Sequence, residues 1–200
     1  LGADAVSDEI YFTVDPAEVI RFDRTDEELQ VFWLFCGCVA GKTASTQARL
    51  LSAFLSSLGD HGSAFQRIRR SAMRGELLDA LKASRLGQYN RLCRFMIESL
   101  NLDLRNCTVE DLERIPGCGP KTARMFLMFS RPNQRFAALD THVLKHLRAN
   151  GIEAPKTTPP AGKTYARLEQ EFLKLADASG MSIADYDLQV WKTYSGNADE

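Results

Sequence analysis

An all-α fold is what this sequence predicts, on three observations. Apolar residues recur at three- and four-residue spacing, as in Leu51, Phe54, Leu55 and Leu58, or Leu92, Phe95, Met96 and Leu100. No segment alternates apolar and polar residues as a half-buried strand would. Capping patterns and glycine or proline stops fall where the periodic runs begin and end.

The elements follow in order. Residues 1–24 are acidic and show little periodicity beyond Ile10, Phe12 and Val14, so they read as an irregular arm with a short helix after Pro16, packed against the end of the chain. Thr25-Asp26-Glu27-Glu28 is a capping box, and the helix it opens runs to about Ala40. Phe32, Trp33, Phe35, Cys36 and Val39 make that helix apolar on most sides, which marks it as central. The turn Ala40-Gly41-Lys42-Thr43 leads into a helix through Leu58, and two short helices are expected between Phe65 and Leu86. Gly87-Gln88-Tyr89 opens the next. Thr108 and Asp111 stand in capping-box register before the run Leu112-Ile115.

Beyond Asp140, Val143, Leu144 and Leu147 belong to a helix that stops near Asn150-Gly151. Ala154–Gly162, rich in proline and threonine, reads as a loop. Tyr165, Leu168, Phe172 and Leu175 line a long helix, and a last one covers roughly Ile183 to Tyr194.

With 200 residues at 44% hydrophobic content, the chain can bury one sizeable core or two small lobes. Its longest apolar cluster, Val31 to Ala40, is too short to span a bilayer, and no charged-then-apolar leader opens the sequence, so a soluble protein without a membrane partner is expected. The first residue is leucine, which leaves a missing or processed start open. Five cysteines, at 36, 38, 93, 107 and 118, do not suggest a disulfide framework and point to a reducing, intracellular compartment, cytoplasmic or nucleoid-associated. Cys36 and Cys38 read as small core fillers.

A net charge of −1 hides an uneven distribution. Residues 42–94 carry ten Lys or Arg against three acids, a local balance of +7, enough to attract nucleic acid if those cations share a face. Each taken singly is as readily a solvated surface cation.

The chemistry concentrates in Ile115-Pro116-Gly117-Cys118-Gly119-Pro120-Lys121-Thr122-Ala123, followed by Leu139-Asp140-Thr141-His142. Two glycines one residue apart between apolar runs read as a tight turn joining two helices, with Pro120 at the first position of the second. The orphan N–H groups of that helix start form an anion cradle, suited to a DNA phosphate held by Gly117, Gly119, Lys121 and Thr122. Asp140 alone reads as a helix N-cap. Beside a phosphate-gripping turn, its carboxylate also suits a developing cationic sugar. Lys121, taken by itself, reads as an exposed lysine early in a helix that contacts phosphate. His142 and His146 lack the further ligand a zinc site needs, so no metal is expected, and His142 reads as a hydrogen-bonding neighbour of Asp140.

These residues resemble the helix-hairpin-helix and catalytic-aspartate signature of the endonuclease III superfamily of DNA glycosylases. With Tyr165, Leu168, Glu169, Leu173 and Asp187-Leu188-x-x-Trp191, and a weaker similarity at Gly87-Gln88-Tyr89-Asn90, the likeness covers most of residues 28–195 and is nearest to the short, cluster-free 8-oxoguanine glycosylases. It implies two helical lobes, 28–139 and 1–27 with 140–200, and a cleft between them. It implies Lys121 and Asp140 as catalytic residues of a glycosylase and AP lyase, with duplex DNA carrying a modified base as partner and 8-oxoguanine as the favoured base. The lysine is missing from relatives that only hydrolyse. A monomer is expected.

No cysteine follows Cys118, so the iron–sulfur cluster of many relatives is expected to be absent, whereas a monovalent cation at the hairpin is a further implication. Asp187 and Trp191 share a helical face and are candidates for the base pocket; an ordinary amphipathic helix is the competing reading. The family inserts a polar side chain where this chain has Gly41, which leaves Lys42 as the candidate wedge. The acidic ending Gly196-Asn197-Ala198-Asp199-Glu200, where the oxidised-guanine group would end basic, keeps open a glycosylase for another damaged or hypermodified base, as in phage defence. A non-catalytic phosphate clamp is the alternative of another class, and it has no use for the lysine–aspartate pair.

Overall fold

A computed structural model describes residues 12–195. The expected arm residue Ile10 and the acidic ending from Gly196 lie outside the described residues. The helices are α1 (Asp26–Cys38), α2 (Ala44–Ser57), α3 (Ala64–Met73), α4 (Leu77–Ser84), α5 (Tyr89–Ser99), α6 (Val109–Glu113), α7 (Pro120–Ser130), α8 (Thr141–Ala149), α9 (Lys163–Ser179) and α10 (Ile183–Ser195). No strand occurs among the described residues, and the fold is all-α.

The caps form as their residues dictate. At α1, Thr25 accepts from the Glu28 N–H while the Glu28 carboxylate accepts from the Thr25 N–H at 2.8 Å. Thr108 and Asp111 make the same reciprocal pair at α6. Every residue from Val31 to Val39 is buried, because α1 packs on α2, α3, α5 and α7 at once. Gly37 permits the approach of α5, since a Cβ there would lie 2.3 Å from the Phe95 ring. Trp33 packs at a tilt on Phe95 and meets Phe126 edge-on, with its indole N–H donated to Ser99 Oγ at 2.7 Å.

No helix from α1 to α6 packs against α8, α9 or α10. The link is α7, which touches α1 and α6 on one side and α10 on the other, while α10 also packs on α8 and α9. A cleft therefore opens along α7, where residues of both helix groups face each other.

The N-terminal arm differs from expectation in one respect. After Pro16 there is a turn rather than a helix, because Asp15 captures the Ala17 N–H with its side chain and the Glu18 N–H with its carbonyl. Residues 12–24 are tied to the end of α7, where the Arg21 N–H and the buried Arg24 guanidinium both reach the Phe129 carbonyl. Arg24 also holds the Val19 carbonyl and lies 3.8 Å over the Phe32 ring; burial pulls its pKa down to about 10.

The basic region 42–94 does not form one face. Arg67 is buried, donating to the carbonyls of Gly62 and Leu55 and lying over Phe12. Arg69 and Arg70 reach the carbonyls of Leu100 and His61, and Arg74 pairs with Glu76. Most of the α3 arginines thus close the ends of neighbouring helices and loops. Lys42 and Arg91 are the cations of that region that reach the cleft.

Candidate active site

The hairpin is α6, the turn 114–119 and α7. Gly117 sits at φ +85°, the left-handed region glycine favours. Its carbonyl accepts from Arg91 Nη1 at 2.8 Å, and Arg91 Nη2 donates to the Gly37 carbonyl at 2.7 Å. One arginine thereby ties the hairpin tip to the C-terminal end of α1.

Gly119 is the N-cap of α7 and has no side chain to close it; a Cβ there would meet nothing within 4 Å. With Pro120 at the first position, the N–H groups of Lys121 and Thr122 have no partner among the described residues. The positive end of an eleven-residue helix is left open beside the cleft. The Thr122 side chain itself is buried at 5% exposure, so only its backbone is placed to meet a phosphate.

The cleft holds a cavity of about 1020 Å³ that brings together Lys121, Asp140, Asp187 and Trp191. Lys121, half-buried on the first turn of α7, directs its amine at the Met125 sulfur, 3.4 Å away. Asp140 is the N-cap of α8, its Oδ1 accepting the Val143 N–H at 2.8 Å. The cap predicted from sequence forms. Asp140 is also half-buried on the cavity wall, so its second oxygen is not needed for capping.

Asp187 is 6% exposed, and its Oδ2 has no hydrogen-bond partner. Burial first, then the negative field of Asp140, push its carboxyl pKa well above the ordinary 3.8, with Lys121 pulling the other way. Burial of this kind favours the protonated carboxyl, a form that can donate one hydrogen bond and accept another. One helical turn on, Trp191 lines the same cavity.

Lys42 lies exposed at the rim, with its amine close to Gly87, while Gly41 occupies open space at φ +68°. Gln88 adjoins them, donating to the Ala40 carbonyl and held at φ +47°, a conformation uncommon for a side-chain-bearing residue. The turns 40–43 and 87–88 therefore form one lip. Gln88 was visible in the sequence only within the Gly-Gln-Tyr-Asn similarity; its strained backbone was not.

The histidines separate. His142 lines the cavity but makes no hydrogen bond to Asp140, contrary to the sequence reading, because the Asp140 carboxylate turns to the Val143 N–H. His146 points elsewhere, to the hydroxyl of Tyr186 at 2.8 Å and towards that of Tyr194. No group of three or more metal-ligating side chains occurs among the described residues. Cys36 and Cys38 are buried, which raises each thiol pKa to about 12. No described helix is long and apolar enough to cross a membrane.

No family model matches the chain. Among solved structures it is similar to the Methanocaldococcus jannaschii 8-oxoguanine glycosylase/lyase in complex with 15mer DNA containing 8-oxoguanine, at 20% identity and TM-score 0.68, over 92% of this chain and 90% of that one. Another structure of an 8-oxoguanine DNA glycosylase from M. jannaschii matches at 23% identity and TM-score 0.67, over 90% and 84%. The 8-oxoguanine DNA glycosylase of Thermotoga maritima matches at 24% identity and TM-score 0.64, over 92% and 88%. The chain has the fold of these enzymes along nearly its whole length.

Proposed function

We propose that this protein is a DNA glycosylase with AP lyase activity, which draws a modified base, 8-oxoguanine foremost, out of duplex DNA into the α7 cleft and cuts its bond to the sugar. The observation that carries the reading is the meeting, in one cavity beside an uncapped helix start, of Lys121 from α7, Asp140 from α8 and the buried carboxyl of Asp187 from α10.

In this reading the hairpin grips the backbone through the N–H groups at the start of α7, and the lip of Lys42 and Gln88 meets the gap left in the duplex. Trp191 offers the extruded base an aromatic face. Asp187, uncharged, pairs with a lactam edge, accepting from a ring N–H and donating to the adjacent C=O, as an oxidised guanine presents. The Lys121 amine attacks the anomeric carbon as the base departs, while the Asp140 carboxylate stabilises the positive charge growing on the sugar. Loss of the amine protons and ring opening give the Schiff base from which the strand is cleaved.

An iron–sulfur cluster has no part in this scheme. A monovalent cation would find oxygen at the carbonyls of Pro116 and Cys118, which accept no hydrogen bond among the described residues, and would add positive field beneath the phosphate. The protein acts as an intracellular monomer on double-stranded DNA.

The test is incubation with duplexes that each carry one modified base, 8-oxoguanine included, followed by assay of free base and of strand breaks with and without alkali. Base release followed by alkali-independent cleavage is expected. Release without cleavage would remove the lyase step, and no release from any duplex would leave only a phosphate clamp.

A further inference from the structure

The segment leading into Asp140 is buried but belongs to no helix. Ala137, Ala138 and Leu139 are at most 4% exposed, so their backbone groups require partners. Side chains supply most of them. The Ala137 N–H donates to Glu169 Oε2 at 2.9 Å, and the Ala137 carbonyl accepts from the Tyr165 hydroxyl at 2.7 Å. That same hydroxyl accepts the Leu139 N–H at 3.1 Å, and Thr158 Oγ1 donates to the Leu139 carbonyl at 2.7 Å.

Tyr165 and Glu169 are one turn apart on α9 and face the segment as a neighbouring strand would. Glu169 is itself held by Arg124 Nε at 2.7 Å. The Arg124 guanidinium also contacts Glu113, at the end of α6, and the Pro120 carbonyl at the start of α7, and lies 4.6 Å over the Tyr165 ring. A single network, partly to fully buried, therefore joins both hairpin helices, the α9 pair and the three residues before Asp140.

From this geometry we infer that Tyr165 and Glu169 are positioning residues, which fix the Asp140 carboxylate relative to Lys121 and couple it through Arg124 to the DNA-gripping hairpin. The inference rests on the glycosylase reading above. Stability alone gives little reason for such a network, because a buried ion pair is often replaceable by apolar side chains without loss. Placement gives a reason: a misplacement of about 1 Å in a catalytic group can cost about 100-fold in rate. Burial also holds the Tyr165 phenol protonated, so it can donate and accept at once.

The test separates two steps on the same protein. Tyr165→Phe removes only the hydroxyl, and Glu169→Gln keeps an acceptor for the Ala137 N–H while removing the negative charge that pairs with Arg124. Single-turnover release of the base found active for the wild type is compared with borohydride trapping on duplex carrying a preformed abasic site, which needs Lys121 but no base departure. Tyr165→Phe should slow base release ~10- to 100-fold, with trapping and DNA affinity within ~3-fold of wild type, and Glu169→Gln should fall between. Glu169→Ala should be slower than Glu169→Gln. If Tyr165→Phe does not fold, Thr158→Val, on the loop, should show a smaller loss confined to the same step. Folded variants that release base at the wild-type rate would overturn the inference, as would an equal fall in release and trapping. A wild-type protein that releases no base would overturn the glycosylase reading, and this one with it.

Discussion

Arg91 and Gly117 fit one another in two ways: the guanidinium donates to the Gly117 carbonyl at 2.8 Å, and a Cβ on Gly117 would lie 2.8 Å from Arg91 Cγ. The glycine is thus required by backbone angle and by contact, whereas Gly119, two residues on, is required by neither. Its φ is −95° and the space beside it is open.

The two glycines should therefore fail differently. Gly117→Ala forces a strained conformation worth roughly 1–3 kcal/mol, which for a chain of this size is a fall of ~2–4 °C in melting temperature per kcal/mol. Gly119→Asp supplies a good N-cap and should leave the melting temperature unchanged or higher. It also sets a carboxylate where phosphate is proposed to bind, so affinity for every DNA sequence should fall by ~10-fold or more. Thermal melts beside anisotropy titrations distinguish these outcomes, and undiminished binding by Gly119→Asp would remove the hairpin from the DNA interface.

Asp187 carries a pH signature. Its pKa is raised in the folded protein by burial and by Asp140, so the folded state binds a proton that the unfolded chain has released. Stability from this group is retained below the unfolded value near 3.8 and lost as pH rises towards the folded one. Asp187→Asn removes that titration. The variant should melt close to the wild type at acid pH and progressively above it as pH rises through neutrality, by ~2–4 °C for each kcal/mol regained. A melting difference constant from pH 4 to pH 8 would show that Asp187 is ionised in the fold.

Much of this was legible in the sequence because the signals are local. Thr25 with Glu28, Thr108 with Asp111, and Pro120 after Gly119 mark helix starts by chemistry that acts over three or four residues, and the helices begin there. That Lys121, Asp140, Asp187 and Trp191 line one cavity was legible only through the resemblance of their motifs, spacing alone putting Asp187 and Trp191 on one helix face. What escaped is long-range. Nothing near Arg91 in sequence shows that it bridges residues 37 and 117, or that Arg67 is buried among carbonyls rather than facing solvent. Spacing puts Asp187 on a face of α10 but does not reveal that one of its oxygens has no partner there. The arm after Pro16 misled because Asp15 competes for the N–H groups a helix would use.

The dispersal of the basic region makes a prediction about salt. Binding to DNA should weaken steeply with added salt despite the net charge of −1, since only cations facing the phosphates release counterions. Lys42 is at the cleft rim, whereas Arg74 is paired with Glu76 on an element that does not line the cavity. Lys42→Gln should lower the slope of log affinity against log salt by about 1, and Arg74→Gln should leave it unchanged. Equal effects from both would mean that the whole basic region touches DNA.

Lys121 and Asp140 are assigned different work in one reaction, and the structure shows why each can be changed without unmaking the fold. The Lys121 amine has a thioether as its hydrogen-bond partner and no carboxylate within ion-pair distance among the described residues, so Lys121→Gln should fold normally and bind DNA nearly as well. It should lose all borohydride-trapped adduct, because no Schiff base can form. If Lys121→Gln still released base at the original rate, water would be the nucleophile and the lysine a phosphate contact. Asp140→Asn keeps an oxygen to cap the Val143 N–H but carries no charge. Its melting temperature should stay within ~2 °C of wild type, while base release falls by ~100-fold or more, the scale of losing one preorganised electrostatic contact in a catalytic site. Asp140→Ala removes cap and charge together, adding ~1 kcal/mol of destabilisation to the same catalytic loss. The contrast between these two variants separates the structural oxygen of Asp140 from its catalytic charge: an Asn variant as fast as the wild type would assign Asp140 to the cap alone.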